Sequence, residues 1–209
     1  KRFSAATQPA PVERLTGLSG LRPPKSTATR AIPRLGTLLD RIQATGERQT
    51  CVDILDDSFV TDAVPIRQRP LKALINIILG CNKNCSYCIV PSTRGREVSR
   101  SPEDIVREAA HLAEHGWREI TLVGQNVNSY RHEDADFTAL IERVADVPGI
   151  ERVRFTSPHP KDFPLRLLQV IADHPKICKA IHFPLQAGND RVLKLMNRGY
   201  SREEYLDLA

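Results

Sequence analysis

The chain has 209 residues, 41% of them hydrophobic and 26% charged, which suits one globular domain with or without an appendage. Its longest apolar run, Ala73–Leu79, is strand-sized, well short of the roughly 18 residues a membrane-spanning helix needs, so no membrane partner is expected. The formal net charge of +5 fits an anionic partner such as nucleic acid and equally fits a solvated basic surface.

In chain order, residues 1–36 show no helix or strand period and set Lys1, Arg2, Arg14, Arg22, Lys25, Arg30 and Arg34 against one acid, Glu13. That composition fits a mitochondrial transit peptide and equally a disordered tail or a clipped domain; a disordered or clipped tail is the reading taken, with a cytoplasmic location. Leu35–Ile42 has helical spacing, Cys51–Ile54 and Ala63–Ile66 read as short extended pieces, and Pro70 closes this irregular lead-in.

From Leu71 the pattern changes. Ala73–Leu79 reads as a strand buried on both faces. Ser101-Pro102-Glu103-Asp104 starts a helix with Ser as cap, Pro next and acids in the first turn; its stripe is Ile105, Ala109, Leu112 and Ala113, and Gly116 stops it. A strand at Ile120–Val123 follows, then a helix carrying Phe137, Leu140, Ile141 and Val144. A third strand at Val153–Thr156 precedes a helix starting at Pro164 with Leu167, Leu168 and Ile171. Ala180–Leu185 is expected as a fourth strand, and Ser201–Glu204 is a capping box.

Alternating strand and helix from 71 to 209 calls for a parallel α/β sheet with helical crossovers. Ligands of such folds bind at the carboxyl ends of the strands. The polar clusters after the strands are therefore expected to converge on one face: the cysteine loop, Gly124–Asn128, Ser157–His159 and Gln186–Asn189.

Five cysteines occur, Cys51, Cys81, Cys85, Cys88 and Cys178. An odd number with three inside one loop argues against a secreted disulfide framework and for a metal in a reducing compartment. Cys51 and Cys178 stand alone and read as buried, unreactive thiols. The loop itself, Cys81-Asn-Lys-Asn-Cys85-Ser-Tyr-Cys88, follows a strand directly. Soft thiolates at this spacing hold an iron–sulfur cluster or zinc. A [4Fe–4S] cluster on three cysteines leaves one iron open. The amino and carboxylate groups of S-adenosylmethionine can chelate that iron, and one electron passed to the sulfonium breaks a carbon–sulfur bond. Zinc would want a fourth ligand, for which His159 is the distant candidate. A redox pair of Cys85 and Cys88 would leave Cys81 unexplained.

The loop resembles the signature of the radical S-adenosylmethionine superfamily, with Tyr87 at its aromatic position. That resemblance implies a partial (β/α)6 barrel, Cys81, Cys85 and Cys88 as cluster ligands, and Tyr87 near the adenine. It further places Gly124, Gln125 and Asn126 at the methionine amino group, and Ser157 and Gln186 at the ribose or carboxylate. Within the superfamily, four stretches are similar to the tRNA methylthiotransferases: Cys88–Arg100, Leu122–Tyr130, Phe155–Pro160 and His182–Gly188. Gly124–Tyr130 most resembles the members acting on isopentenyladenosine in tRNA. Sister enzymes act on threonylcarbamoyladenosine or on a ribosomal-protein aspartate. The implied reaction replaces hydrogen on carbon 2 of the adenine beside the anticodon with a methylthio group. It takes a second S-adenosylmethionine, an external one-electron reductant and a sulfur donor that the sequence does not name. An aromatic C–H is too weakly acidic for a side-chain base, so no catalytic side chain is expected, and His159 and His182 read as structural.

Arg94, Arg96 and Arg100 are read two ways. They are either salt-bridge partners of Glu97, Glu103 and Asp104, or contacts to tRNA phosphate and supports for the loop. Family members carry an amino-terminal domain with a second cluster, whereas only Cys51 precedes Cys81 here. The chain therefore reads as a piece of such an enzyme: 1–36 a tail, 37–70 the remnant of that domain with its linker, and 71–209 an incomplete barrel. A zinc-dependent, non-enzymatic RNA-binding module is the alternative from another class.

Overall fold

The computed structural model describes residues 35–46 and 71–209. The readings made on residues 1–34 and 47–70 lie outside the described residues. They include the tail, the extended pieces at Cys51–Ile54 and Ala63–Ile66, the break at Pro70 and the Cys51 thiol. The helix expected from Leu35 is present as α1 (Leu35–Thr45). Among the described residues no helix is long and apolar enough to cross a membrane.

Three parallel strands form the central sheet: β1 (Lys72–Asn76), β4 (Glu119–Val123) and β7 (Arg152–Phe155), in the order β1-β4-β7. Ala73 lies opposite Ile120, and Ile120 opposite Val153. Helix α3 (Pro102–Glu114) joins the first pair and α4 (Phe137–Ala145) the second; α5 (Leu165–Asp173) follows β7. This is the expected α/β architecture, a partial, unclosed barrel sheet. Each helix turns its predicted stripe to the sheet. Ile105, Ala109, Leu112, Leu140, Ile141, Val144, Leu167 and Ile171 are buried with Ala73, Ile75, Ile120, Leu122 and Val153. Each large side chain so buried contributes about 1.5–3 kcal/mol.

Local chemistry sets the helix ends, at Ser101 and Ser201 as read and at Asp136 in addition. The Asp104 N–H donates to Ser101 Oγ at 3.1 Å. The Ala139 N–H donates to Asp136 Oδ1 at 2.8 Å. Ser201 and Glu204 complete a reciprocal box at the start of α7 (Arg202–Leu208).

Two elements differ from expectation. The apolar run Ala73–Leu79 is two strands. It leaves the parallel sheet after Asn76, and Ile78–Leu79 becomes β2, antiparallel to β3 (Val98–Ser99). Nor is β1 buried on both faces, since Leu74 is 60% exposed. Helices cover one face, and the other is the open side of an unclosed sheet. A run of apolar residues reports hydrophobicity but cannot say which face is covered.

The second difference is at Ala180–Leu185, which forms no strand. Ladder pairing there is limited to one bridge, Val153 to Ile177, with the Cys178 N–H donating to Val153 O at 2.9 Å. Beyond it, tyrosine hydroxyls take the carbonyls that a neighbouring strand would use. Tyr205 donates to Phe183 O at 2.5 Å and Tyr200 to Leu185 O at 2.8 Å. Cys178 is half-buried at this bridge, rather than buried as expected.

Four small elements were not anticipated. They are the β2–β3 pairing, α2 (Val90–Arg94), the hairpin of β5 (Arg131–His132) with β6 (Ala135–Asp136), and α6 (Asp190–Leu195).

Candidate metal centre

The cysteine loop hangs between β2 and β3. Gly80 opens it with φ +76°, and a Cβ there would stand 2.0 Å from the Arg96 carbonyl oxygen. Only glycine permits that approach. The two arms are fastened across it. The Cys81 N–H donates to Gly95 O at 3.1 Å, and Asn82 and Glu97 bond each other in both directions. At the tip, the Cys88 N–H donates to Cys85 O at 3.0 Å.

Cys81, Cys85 and Cys88 all carry free thiols, the first two half-buried and the third exposed. Burial pushes the Cys81 thiol up from its ordinary pKa, while the Lys83 N–H, 3.4 Å from its Sγ, opposes this. Among the described residues, a trio whose ligand atoms lie within 4.8 Å of one another is His111, Glu114 and His115 at the end of α3. The all-thiol donor set fits the soft metals of an iron–sulfur cluster or zinc.

Two of the other loops meet this one. Lys83 forms an ion pair with Asp162, which also accepts from Asn126 Nδ2 at 3.4 Å. The cysteine loop is thereby tied to the loops after β4 and β7. Gly124 lies so close under β2 that a Cβ would meet Ile78 Cγ2 at 2.3 Å. Beside it, Gln125 Oε1 and Asn126 Oδ1 are buried without a hydrogen-bond partner. Buried oxygens left unpaired are costly, and a ligand amino group would satisfy them. Ser157 and Gln186 are solvent-exposed, but both hold positive φ, +59° and +72°. Such backbone is uncommon outside glycine and concentrates at ligand sites. Tyr87 is 55% exposed with its hydroxyl 3.3 Å from Arg198 Nη1.

His159 is buried. Its Nδ1 accepts from the Lys161 N–H at 3.2 Å, capping the turn Pro160–Asp162, while its Nε2 has no partner. Burial, with Arg198 and Lys83 nearby, lowers its pKa to about 4, so it is neutral near pH 7. His182 is exposed. Of the three arginines, Arg100 is a structural support: it is buried, pairs with Glu108 at 2.7 Å and donates to Asn76 O at 3.1 Å. Two of the acids expected as partners turn elsewhere, Glu103 to Arg143 and Asp104 to Arg107.

Sequence reading missed Arg198. Its guanidinium reaches Cys85 Sγ at 3.2 Å from 113 positions along the chain. Beside it, the Ser86 N–H and hydroxyl donate to Met196 O and Leu195 O, and Asn197 Nδ2 to Asn84 O.

Known proteins resemble the chain in sequence and in fold. Residues 75–209 match the radical SAM superfamily. The tRNA-2-methylthio-N(6)-dimethylallyladenosine synthase of Thermoanaerobacter pseudethanolicus is 48% identical over 171 residues, 79% of this chain and 36% of that one. The synthases of the same name from Syntrophomonas wolfei and Burkholderia thailandensis are 54% identical over 154 residues and 47% over 182. They are covered to 35% and 40% of their length, so the chain spans well under half of these curated relatives. Among solved structures, the radical S-adenosylmethionine methyltransferase TsrM of Kitasatospora setae superposes with a TM-score of 0.53 at 20% identity. That match covers 67% of this chain and 28% of TsrM, a likeness of fold.

Proposed function

The chain belongs to the radical SAM superfamily, and from that membership we propose that it forms the radical-generating barrel of a tRNA methylthiotransferase. The modification is a methylthio group at carbon 2 of N6-isopentenyladenosine beside the anticodon. The support for this substrate is the 47–54% identity to synthases of that specificity. The observation that carries the chemistry is the set of three free thiols in one glycine-opened loop at the carboxyl end of a parallel sheet.

Cys81, Cys85 and Cys88 would hold a [4Fe–4S] cluster with one iron free for S-adenosylmethionine. When bound, such a cluster supplies the single electron that splits the sulfonium. Gln125 and Asn126 offer their unpartnered oxygens to the methionine amino group, and Gly124 admits it. Ser157 and Gln186 meet the ribose or carboxylate, and Tyr87 borders the adenine. No side chain acts as a base; the neutral His159 holds its turn together. In this reading residues 71–209 are the barrel, 37–70 the end of the domain carrying a second cluster, and 1–36 a tail. The tRNA, a one-electron reductant and a sulfur donor are partners of the whole enzyme, in the cytoplasm.

The test is anaerobic reconstitution of the 209-residue chain with iron and sulfide. A brown protein is expected that releases 5′-deoxyadenosine from S-adenosylmethionine on reduction. Each of Cys81→Ala, Cys85→Ala and Cys88→Ala abolishes this, and Cys178→Ala does not. A colourless protein that takes up zinc alone would overturn the reading. Methylthio-nucleosides in RNA digests from cells with and without the gene identify the substrate among the sister activities.

A further inference from the structure

Arg198 is 7% exposed, and among the described residues no carboxylate pairs with it. A buried guanidinium ordinarily has an acid beside it, because desolvating an unpaired charge is costly. Here the place of the acid is taken by sulfur and phenol. Nη1 donates to Cys85 Sγ at 3.2 Å and to the Tyr87 hydroxyl at 3.3 Å. Nε donates to the Tyr200 hydroxyl at 3.3 Å, and the guanidinium sits 5.5 Å from the centre of that ring. Tyr200 in turn donates to Leu185 O, next to Gln186. The mechanical task of docking the loop is already done by other groups: Ser86 on Leu195 and Met196, and Asn197 on Asn84. What Arg198 alone brings is a positive charge against a cysteine sulfur.

We infer that Arg198 is a positioning residue that sets the electron affinity of the centre, as counter-charge to the Cys85 thiolate, and holds the Tyr87 ring in register with it. The inference rests on the three cysteines being cluster ligands, as proposed above. One electron enters from an external low-potential reductant, no proton is exchanged, and the centre becomes one charge more negative. A fixed cation hydrogen-bonded to a ligand sulfur stabilises that added charge and makes reduction easier.

The experiment reconstitutes the full chain and its Arg198→Met, Arg198→Lys and Asn197→Ala variants anaerobically. It measures iron and sulfide content, and the midpoint potential by electron paramagnetic resonance in samples poised with titanium(III) citrate. Arg198→Met is expected to load as the parent does but to be reduced at least tenfold less favourably, about 59 mV for one electron. Arg198→Lys, keeping the charge without the fork, falls between, and Asn197→Ala keeps the parent midpoint. A parent-like midpoint in Arg198→Met overturns the inference. So does an equal shift in Asn197→Ala, which would assign the effect to loop docking, or a failure of both Arg198 variants to take up iron. Failure of the parent itself to assemble a cluster would instead remove the reading on which this rests, and the inference with it.

Discussion

Asn128 and His159 exchange a pair of hydrogen bonds: the side-chain amide of Asn128 donates to the His159 carbonyl at 2.9 Å and accepts from the His159 N–H at 2.7 Å. Both residues are buried, so the amide stands in for a strand partner where the loops after β4 and β7 meet. Asn128→Leu keeps the bulk and strands two backbone groups away from water. The expected loss is about 3 kcal/mol, since each unsatisfied buried group costs about 1–3 kcal/mol. Urea unfolding measures it, and an unchanged midpoint would contradict the assignment.

His159 also makes stability depend on pH. Unfolded, the imidazole titrates near 6.5; folded, burial holds it at about 4. Between those values the unfolded chain takes up the proton first. Stability therefore falls as the pH drops from about 6.5 to about 4 and flattens below, by about 3 kcal/mol in all. Arg198, Lys83 and Lys161 disfavour the imidazolium and Asp162 favours it. His159→Asn keeps an acceptor for the Lys161 N–H and should lose this slope in unfolding curves recorded across the range.

Gly80 and Gly188 should behave oppositely. At Gly80 a methyl group meets the Arg96 carbonyl and the backbone has positive φ; at Gly188 nothing lies within 4 Å. Gly80→Ala is expected to cost at least about 2 kcal/mol and to open the cysteine loop. Gly188→Ala should stay within about 0.5 kcal/mol of the parent. Thermal melting separates them.

Glu119 joins all three strands of the central sheet. Nearly buried, on β4, it accepts from Arg152 Nη1 at 2.9 Å and Arg154 Nε at 3.1 Å, both on β7, and lies 3.5 Å from Lys72 Nζ on β1. Burial pushes its pKa up, but the bond from Arg152 and the charges of Lys72 and Arg154 outweigh this and hold it below the ordinary value. The group therefore adds stability above the ordinary glutamate pKa, and that share disappears as the pH falls through the lowered value. Glu119→Gln should cost about 2 kcal/mol at neutral pH and reduce the slope of stability against pH on the acid side.

What was legible in the sequence was local. The cysteine spacing lies within one loop, and the stripes of α3, α4 and α5 repeat at a helical period, so both could be read directly. The caps at Ser101 and Ser201 follow from neighbouring residues. What was not legible depends on distant partners. The segment 180–185 forms no strand, and its carbonyls at Leu185 and Phe183 accept instead from Tyr200 and Tyr205, 15 and 22 positions beyond them. Arg198 escaped notice because its partner lies 113 positions away and no period marks it. Ser157 and Gln186 could be flagged by their place after strand positions. Their left-handed backbone could not, since nothing about serine or glutamine announces it.

Strand β1 has a consequence for handling the protein. It pairs with β4, and the side chains of Leu71, just before it, and Leu74, within it, stand in solvent. Its one charge, Lys72, is drawn toward Glu119. Two neighbouring leucines so exposed offer apolar surface to a second molecule. Concentrated samples are therefore where the chain is expected to stick to itself, through these two side chains.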